Sequence, residues 1–575
     1  MKRGTQIRAI SSAVLVLSAG FSAAAVEFRT IDGTQNNPIF PAQGAANTRV
    51  IRFGYDADYP DDIGDVITEH DKPNPRDVSN LVIAQQATIF NDRNLSDWVV
   101  QWGQFITHDM SLIPASTDAD LLSTGEVGDF SIPVTALDDP LGPGPISFHR
   151  STFDPSTGNG DKQSTQQGDV PIPRWQINLN TSYLDASHVY GSDSTTAASL
   201  RTFVDGKLAT SAGGMLPAVN GEGLFLTGDS RANENTTLSA THALFVREHN
   251  RLAGLLKARD GTLNDEEIYQ WARKIVGAEV QAITYQEFLP ALMGSNAPSA
   301  NDYYYDETVD ATITTAFSTA AFRFGHSMQS PKLLLVDSSD VLIDEISLVD
   351  ATSRNQILQN DPALLGLLLK GLAVQVAQEN DAYIVDELRN VSFGPIGAGG
   401  TDLAAIDIQR GRDLGLLNSY SLLRIAYNLI PFSQFQQLTS DPTTAAALLA
   451  SYGTPDNLDA WVAIIAEDHL PESSLGSLAQ KIIDSQFQRL RDGDRFFFTG
   501  DSDLQDPLVT AIIDFNSITL SRLIELNTGV TGLQENVFFA DSRVPEPGSN
   551  LLLGSVALVF FTRVNRKFDS TVFRC

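Results

Sequence analysis

The sequence predicts a mainly α fold, a single large helical domain from about residue 26 to 540. Two observations carry this. Apolar residues recur at helical spacing through most of the chain beyond residue 230, and strand-like alternation is scarce. Nor does any internal repeat or long low-complexity linker divide the chain, although 575 residues would suffice for several ordinary domains.

Residues 1–25 read as a signal peptide. Lys2, Arg3 and Arg8 make a basic start, Ala13 to Gly20 is apolar, and Ala23-Ala24-Ala25 offers small residues for cleavage. Export commonly brings disulfides, but the only cysteine is Cys575, so no intrachain disulfide can form. Any transition-metal chemistry must use some of the eight histidines, or a cofactor. The net charge of −31 argues against nucleic-acid binding, which needs basic surface to displace counterions, and against docking on anionic membranes.

Within the domain, residues 26 to about 90 are rich in turn formers such as Asn36-Asn37-Pro38 and read as loops. Residues 95–110 predict a helix with Trp98, Val99, Trp102, Phe105 and Ile106 on its apolar side. Residues 118–175, dense in Gly, Pro, Asp and Ser, predict an irregular insertion. A helix follows over Thr236 to Ala258. Asn264 caps another from Asp265 to Phe288, with Pro290 as its stop. Further helical periodicity covers 361–388, 413–430, 442–452, 458–466, 473–491 and 506–526. Residues 541–575 form a separate tail. Val544-Pro-Glu-Pro547 precedes the apolar Leu551 to Phe561 and the basic Arg563, Arg566 and Lys567. That apolar run is shorter than the roughly 20 residues that span a bilayer comfortably.

The chemistry begins in Trp102-Gly-Gln-Phe-Ile-Thr-His-Asp-Met110. One helical turn separates Gln104 from His108 on a common face, while Asp109 is rotated by about 100°. The turn can offer an imidazole to one pocket and a carboxylate to another. Thr181-Ser-Tyr-Leu-Asp-Ala-Ser187 offers oxygens at alternating positions: the Thr181 hydroxyl, the Tyr183 carbonyl, the Asp185 carboxylate and the Ser187 hydroxyl. Calcium takes about 6–8 such ligands, and Asp109 can add one. The plainer reading is a loop of side-chain-capped turns. Three more segments stand out: Arg231-Ala-Asn-Glu-Asn235 before the helix that carries Arg247-Glu-His-Asn250, Ala321-Phe-Arg-Phe-Gly-His326, and Ile406-Asp-Ile-Gln-Arg-Gly-Arg-Asp413. Singly they read as a cap, a core histidine and a surface charge cluster.

In this order the five segments resemble the animal-type haem peroxidases of the peroxidase–cyclooxygenase superfamily. The resemblance runs from Arg29 to about Ala540 and includes Arg29-Thr-Ile-Asp-Gly33, Ala272-Arg-Lys-Ile-Val-Gly277 and Leu533-Gln-Glu-Asn-Val-Phe538. It implies a haem b cofactor with His326 as the proximal iron ligand, His108 as the distal histidine with Gln104 beside it, and Arg231 as the distal arginine. It implies Ca2+ on Asp109, Thr181, Tyr183, Asp185 and Ser187. Arg410 falls near a haem propionate and Arg323 on the proximal side. The implied activity is reduction of hydrogen peroxide with oxidation of small donors.

Three departures refine this. Thr107 stands where many vertebrate-like members have an aspartate esterified to the haem, and threonine cannot form that bond. Glu234 matches the other ester-forming position, whereas Asn235 replaces a haem-linked methionine of one member. Asp407 replaces the asparagine that usually bonds the proximal histidine. A carboxylate partner makes the His326 imidazole more electron-donating and lowers the iron's reduction potential. Phenols, iodide and thiocyanate, with bromide at the limit, are therefore expected as donors rather than chloride.

The tail resembles the PEP-CTERM sorting signal of bacterial exosortase substrates. That implies a bacterial protein exported to the cell envelope or beyond, with an exosortase-type enzyme as partner. Two other functions compete: a haem fatty-acid dioxygenase, disfavoured because Arg323 stands where that chemistry places a tyrosine, and a calcium-stabilised envelope or matrix protein without activity.

Overall fold

A computed structural model describes residues 26–68, 71–115, 130–142, 144–165, 168–353, 356–392 and 400–541. The leader over 1–25 and all but the first residue of the tail over 541–575 lie outside the described residues. The described chain is mainly helical, and its strands form only two-stranded antiparallel ladders. No described helix is long and apolar enough to cross a membrane.

The site is framed by seven helices: α1 (Trp98–Met110), α2 (Thr236–Arg259), α3 (Asp265–Ile283), α4 (Leu364–Val374), α5 (Leu403–Asp413), α6 (Ser477–Asp492) and α7 (Leu520–Thr528). Helix α2 is the central one, packed on α1, α3, α4 and α7. Its buried positions include Thr237, Ser239, Ala240, Thr241 and Ala243, small enough to let neighbouring helices close in. Asn235 caps it, accepting from the Leu238 amide at 2.7 Å. Helix α1 buries Trp98, Trp102, Phe105 and Ile106 completely. Both indoles are satisfied: Trp98 Nε1 donates to the Leu369 carbonyl and Trp102 Nε1 to Thr284 Oγ1, each at 3.1 Å.

Several expected boundaries move, for reasons the structure shows. Helix α1 starts at Trp98 rather than 95, because Leu95 and Ser96 form bridges with Phe539 and Val376. The Asn264 cap stands as expected, in a reciprocal capping box with Glu267. The helix does not stop at Pro290, however. It passes through a π-helical turn over Thr284–Phe288 and continues as Leu289–Met293. Proline then occupies the second position of the new segment, where its missing N–H costs little. The helix expected over 361–388 is reduced to α4 and the single turn Asp386–Arg389. Between them Val376, Gln378 and Ile384 bridge to Ser96, Phe90 and Ala84.

The helix expected over 413–430 is replaced by α5, ending at Asp413, and the short Tyr420–Ala426. Gly415 makes the break, with φ +65° and the Tyr59 ring 2.7 Å from where a Cβ would stand. Over 506–526 only Pro507–Thr510 and α7 are helical. The described part of the insertion is more regular than expected. Phe130–Ile132 pairs with Ile146–Phe148, and Lys162–Thr165 with Gly168–Pro171. Ile132, Ile146 and Phe148 form a small apolar cluster against Ala405 of α5.

Candidate active site

The last turn of α1 faces two ways. Gln104 donates from Nε2 to Glu234 Oε2 at 3.1 Å, and His108 Nε2 lies 3.7 Å from the same oxygen. Gln104 Oε1 in turn accepts from Asn235 Nδ2 at 3.0 Å. His108 is buried, and its Nδ1 has no hydrogen-bond partner. Burial, reinforced by the Arg231 charge, holds its pKa well below the ordinary histidine value. The ring is therefore neutral at working pH and able to accept a proton. Burial raises the Glu234 pKa against the pull of Arg231. Glu234 thus joins Gln104 and His108 at the end of α1. Its side chain is 48% exposed. The Thr107 hydroxyl does not join them as a free donor, since it bonds back to the Gly103 carbonyl at 2.7 Å.

Arg231 is held by three hydrogen bonds to two partners. Its guanidinium grips Asp229 through Nε at 3.0 Å and NH2 at 2.7 Å, and NH2 also donates to the Ser111 carbonyl at 2.8 Å. Burial opposes the charge on Asp229, but Arg231 outweighs it and keeps the carboxyl well below the usual range. Asn180 ties this pair to α1, donating from Nδ2 to the His108 carbonyl at 2.6 Å and to Asp229 Oδ2 at 3.0 Å. The approach needs glycine at 228: a Cβ there would stand 2.3 Å from the Ser187 carbonyl.

On the other side, His326 sits in the short helix Gly325–Met328, which packs on α1. Its Nδ1 lies 2.5 Å from Asp407 Oδ2. Burial works against the Asp407 charge, yet His326 and Arg323 hold its pKa below the ordinary value. An ionised carboxylate can only accept, so Nδ1 carries a proton and Nε2 is the nitrogen that would be available to a metal. Arg323 NH1 donates to the other Asp407 oxygen at 2.6 Å. Helix α5 supplies Asp407 from its buried face and Arg410 one turn on. Arg410 lies over the Phe148 ring at 4.3 Å and donates to the His149 carbonyl at 3.0 Å and Ser151 Oγ at 2.7 Å.

Asp109 turns the opposite way from His108. Its Oδ2 accepts from the amides of Asp185 and Ala186, both at 3.0 Å, and its Oδ1 from Ser187 Oγ at 2.9 Å. Thr181 Oγ1 lies 3.0 Å from Asp185 Oδ1 and 3.4 Å from Ser187 Oγ. The Tyr183 hydroxyl donates away to the Gln43 carbonyl at 2.8 Å, so what this residue can offer the cluster is its own carbonyl. Ala186 holds a left-handed φ of 62° at the turn. Burial and the neighbouring Asp109 push the Asp185 carboxyl up to about 7. Two buried carboxylates backed by hydroxyls are a donor set for a hard cation, and they fit calcium.

Gln104, His108, Glu234 and Arg231 gather at the last turn of α1, and Asp109, Thr181, Asp185 and Ser187 form the oxygen cluster on its other face. His326, Arg323 and Asp407 pair with one another where the helix Gly325–Met328 packs on α1, Arg410 turns to His149 and Ser151, and the Tyr183 hydroxyl turns to Gln43. Sequence reasoning missed Asp229 and Asn180. The signal for Asp229 was its place two residues before Arg231, where its carboxylate also accepts from the Arg231 amide at 2.9 Å. Asn180, next to Thr181, had no signal beyond adjacency.

The residues fit a haem as well as calcium. His326 presents an imidazole whose Nε2 is not claimed by Asp407, and the end of α1 presents a buried neutral histidine beside a fixed arginine.

A family model described as animal haem peroxidase matches residues 28–538. Thyroid peroxidase of Canis lupus familiaris is 32% identical over 91% of this chain, which spans only 61% of that relative's length. The solved structure of peroxidase A from Dictyostelium discoideum superposes with a TM-score of 0.77 at 28% identity, covering 90% of this chain and all of that one. A fatty acid α-dioxygenase from Arabidopsis thaliana shares the fold with a TM-score of 0.73 at 22% identity, over 89% of this chain and 83% of its own.

Proposed function

The chain belongs to the animal haem peroxidase family, and from that premise we propose that it is a haem-dependent peroxidase that reduces hydrogen peroxide and oxidises small donors. Membership implies haem and, typically, calcium. In this reading His326 Nε2 holds the haem iron. The haem, when bound, supplies the two oxidising equivalents that no side chain offers.

The chain's own residues handle protons and charge. His108 Nε2, neutral because the ring is buried, takes a proton from one peroxide oxygen and delivers it to the other. Gln104, fixed between Glu234 and Asn235, helps to orient water or peroxide beside His108. Arg231, immobilised by Asp229 and the Ser111 carbonyl, directs a fixed positive charge at the oxygen that accumulates negative charge. Calcium on Asp109, Thr181, Tyr183, Asp185 and Ser187 fixes the turn of α1 that aims His108. Arg410 takes a haem propionate, and Glu234 is the one position able to form an ester link to haem.

The Asp407–His326 contact at 2.5 Å supports a low reduction potential. The donors that follow are phenols, iodide and thiocyanate, with bromide at the limit. Dioxygenase chemistry is disfavoured, since Arg323 occupies the tyrosine position and is committed to Asp407. We further assign residues 1–25 to a signal peptide, 26–540 to the peroxidase domain, and 541–575 to a PEP-CTERM-like tail read by an exosortase-type enzyme, which places the protein at the cell envelope or outside the cell.

The observation that most supports the reading is the pairing of His326 Nδ1 with Asp407 Oδ2 at 2.5 Å, which leaves Nε2 as the nitrogen that would take a haem iron. The test is the Soret band of the purified protein together with peroxide-dependent oxidation of phenol and iodide. Loss of the band in His326→Ala is expected. A protein that takes up no haem would overturn the reading in favour of a structural role, and oxygen uptake with linoleate without added peroxide would favour a dioxygenase.

A further inference from the structure

Outside the proposed haem site and the oxygen cluster, three segments bring a second set of ligand-bearing side chains together. Asp92 precedes α1, Glu379 follows α4, and His469 follows the helix Ala460–Ala466. Their ligand atoms all lie within 4.8 Å of one another. We propose that Asp92, Glu379 and His469 form a binding site for a divalent transition-metal ion of the zinc class.

The backbone holds the two carboxylate segments side by side. The Asn91 amide donates to the Ala377 carbonyl at 2.9 Å and the Glu379 amide to the Ile89 carbonyl at 2.7 Å. Glu379 is fixed in turn. Its Oε1 accepts from Asn91 Nδ2 at 2.9 Å and the Asn380 amide at 2.8 Å, and its Oε2 accepts from the Asp92 amide at 2.8 Å. Oε1 is thereby filled, and Oε2 keeps lone-pair capacity for a cation.

The histidine carries the argument further. His469 Nε2 lies 2.6 Å from the Asn380 carbonyl. A carbonyl only accepts, so Nε2 bears a proton and Nδ1 is the nitrogen that would take a metal. Nδ1 lies 3.9 Å from Glu379 Oε1, too far for a hydrogen bond, and a cation held by Nδ1 and Glu379 Oε2 would join the two side chains. Donation of the remote N–H to a backbone carbonyl is also how proteins orient metal-binding imidazoles. One imidazole with two carboxylates suits a borderline ion such as zinc, with water completing the shell, better than calcium, which prefers oxygen. Asp92 is exposed, so it can close by the small distance that bonds of about 2.0–2.2 Å require. A cleft of about 450 Å³ lined by Asp381, Tyr383, Asp441 and His469 gives access from solvent.

Three segments would thereby be clipped together beside the start of α1. Asn380 extends the link inward: its Oδ1 accepts from Ser327 Oγ at 2.9 Å, next to His326.

The test uses the full chain with calcium in excess, so that the oxygen cluster is filled, and zinc chloride titrated by calorimetry. One equivalent of zinc is expected, bound at least about tenfold more weakly in Asp92→Asn and in His469→Ala. X-ray absorption at the zinc edge should show a single imidazole. Should His469→Ala fail to fold, Asp92→Asn decides alone, because that side chain is exposed. Zinc taken up only weakly at many sites, or one tight equivalent unaffected by the variants, would overturn the proposal. Protonated His469 simply paired with Glu379, giving no zinc uptake, would do the same.

Discussion

Asp407 reaches His326 and Arg323 with its two oxygens, at 2.5 and 2.6 Å, so one buried carboxylate sets both the tautomer and the electron density of the imidazole. Asp407→Asn keeps an acceptor for Nδ1 but removes the negative charge. The haem reduction potential should rise in this variant, and bromide oxidation should improve relative to phenol. Spectroelectrochemical titration checks the first and paired donor assays the second. An unchanged or lower potential would contradict the assignment.

Arg231 acts through its fixed position. Arg231→Ala should lower kcat/KM for peroxide by about 10²–10³, the range for loss of one preorganised charge donor. Asp229→Asn should show a smaller loss in the same parameter with haem content intact, because it frees the guanidinium without removing it. Stopped-flow kinetics at varied peroxide concentration measures both. Equal rates in wild type and Arg231→Ala would remove Arg231 from the mechanism.

Glu234 and Thr107 together decide how the haem is retained. The Thr107 hydroxyl is spent on the Gly103 carbonyl and has no carboxylate to offer, which leaves Glu234 as the only esterifiable position of the pair. After peroxide treatment, part of the haem in the wild type should resist acid–acetone extraction, while Glu234→Gln should release it fully. Mass spectrometry of the peptide around residue 234 distinguishes the two. Full extraction from the wild type would mean that the haem is held by non-covalent contacts and His326 alone.

How much of this was legible beforehand depends on how local each interaction is. His108 and Asp109 were readable because one helical turn fixes their relative directions. The oxygen donors were readable because Thr181, Asp185 and Ser187 lie within one short segment. Asp229 and Asn180 were not, since their roles exist only once the loop before α2 closes against the end of α1, an approach made possible by Gly228. Helix ends failed where backbone groups were claimed from afar. Leu95 and Ser96 bridge to residues near 539 and 376, and no periodicity in the window 95–110 reports that. The π-turn before Pro290 was hidden for the opposite reason, because proline is a helix stop in most contexts and only its position in the new segment makes it harmless here.

Calcium should hold the distal side together. Chelation, or Asp109→Ala, should lower the melting temperature and the peroxide reaction rate together, because the same turn carries His108. A ligand present at a hundred times its Kd contributes about 2.7 kcal/mol, so readdition of calcium should restore stability in the chelated wild type and not in the variant. Calorimetric scans with and without calcium measure this. Identical scans would show that the oxygen cluster is satisfied by its own hydrogen bonds.

Glu287 gives a pH test that involves neither cofactor. It is buried in the π-turn, where Oε2 accepts from the Leu520 amide at 2.7 Å and Oε1 has no partner. Burial pushes its carboxyl up to about 8, from an ordinary value of 4.5. The folded protein therefore keeps a proton that the unfolded chain loses. Between these two values the unfolded state binds fewer protons, so stability falls as pH rises and levels off above about 8. The limiting slope is about 1.4 kcal/mol per pH unit. Glu287→Gln preserves an acceptor for the Leu520 amide and cannot ionise. Its stability should lack this decline, leaving the variant more stable than wild type above pH 8. Denaturant unfolding from pH 5 to about 9 compares the two profiles, and parallel curves would show that Glu287 ionises in the fold without cost.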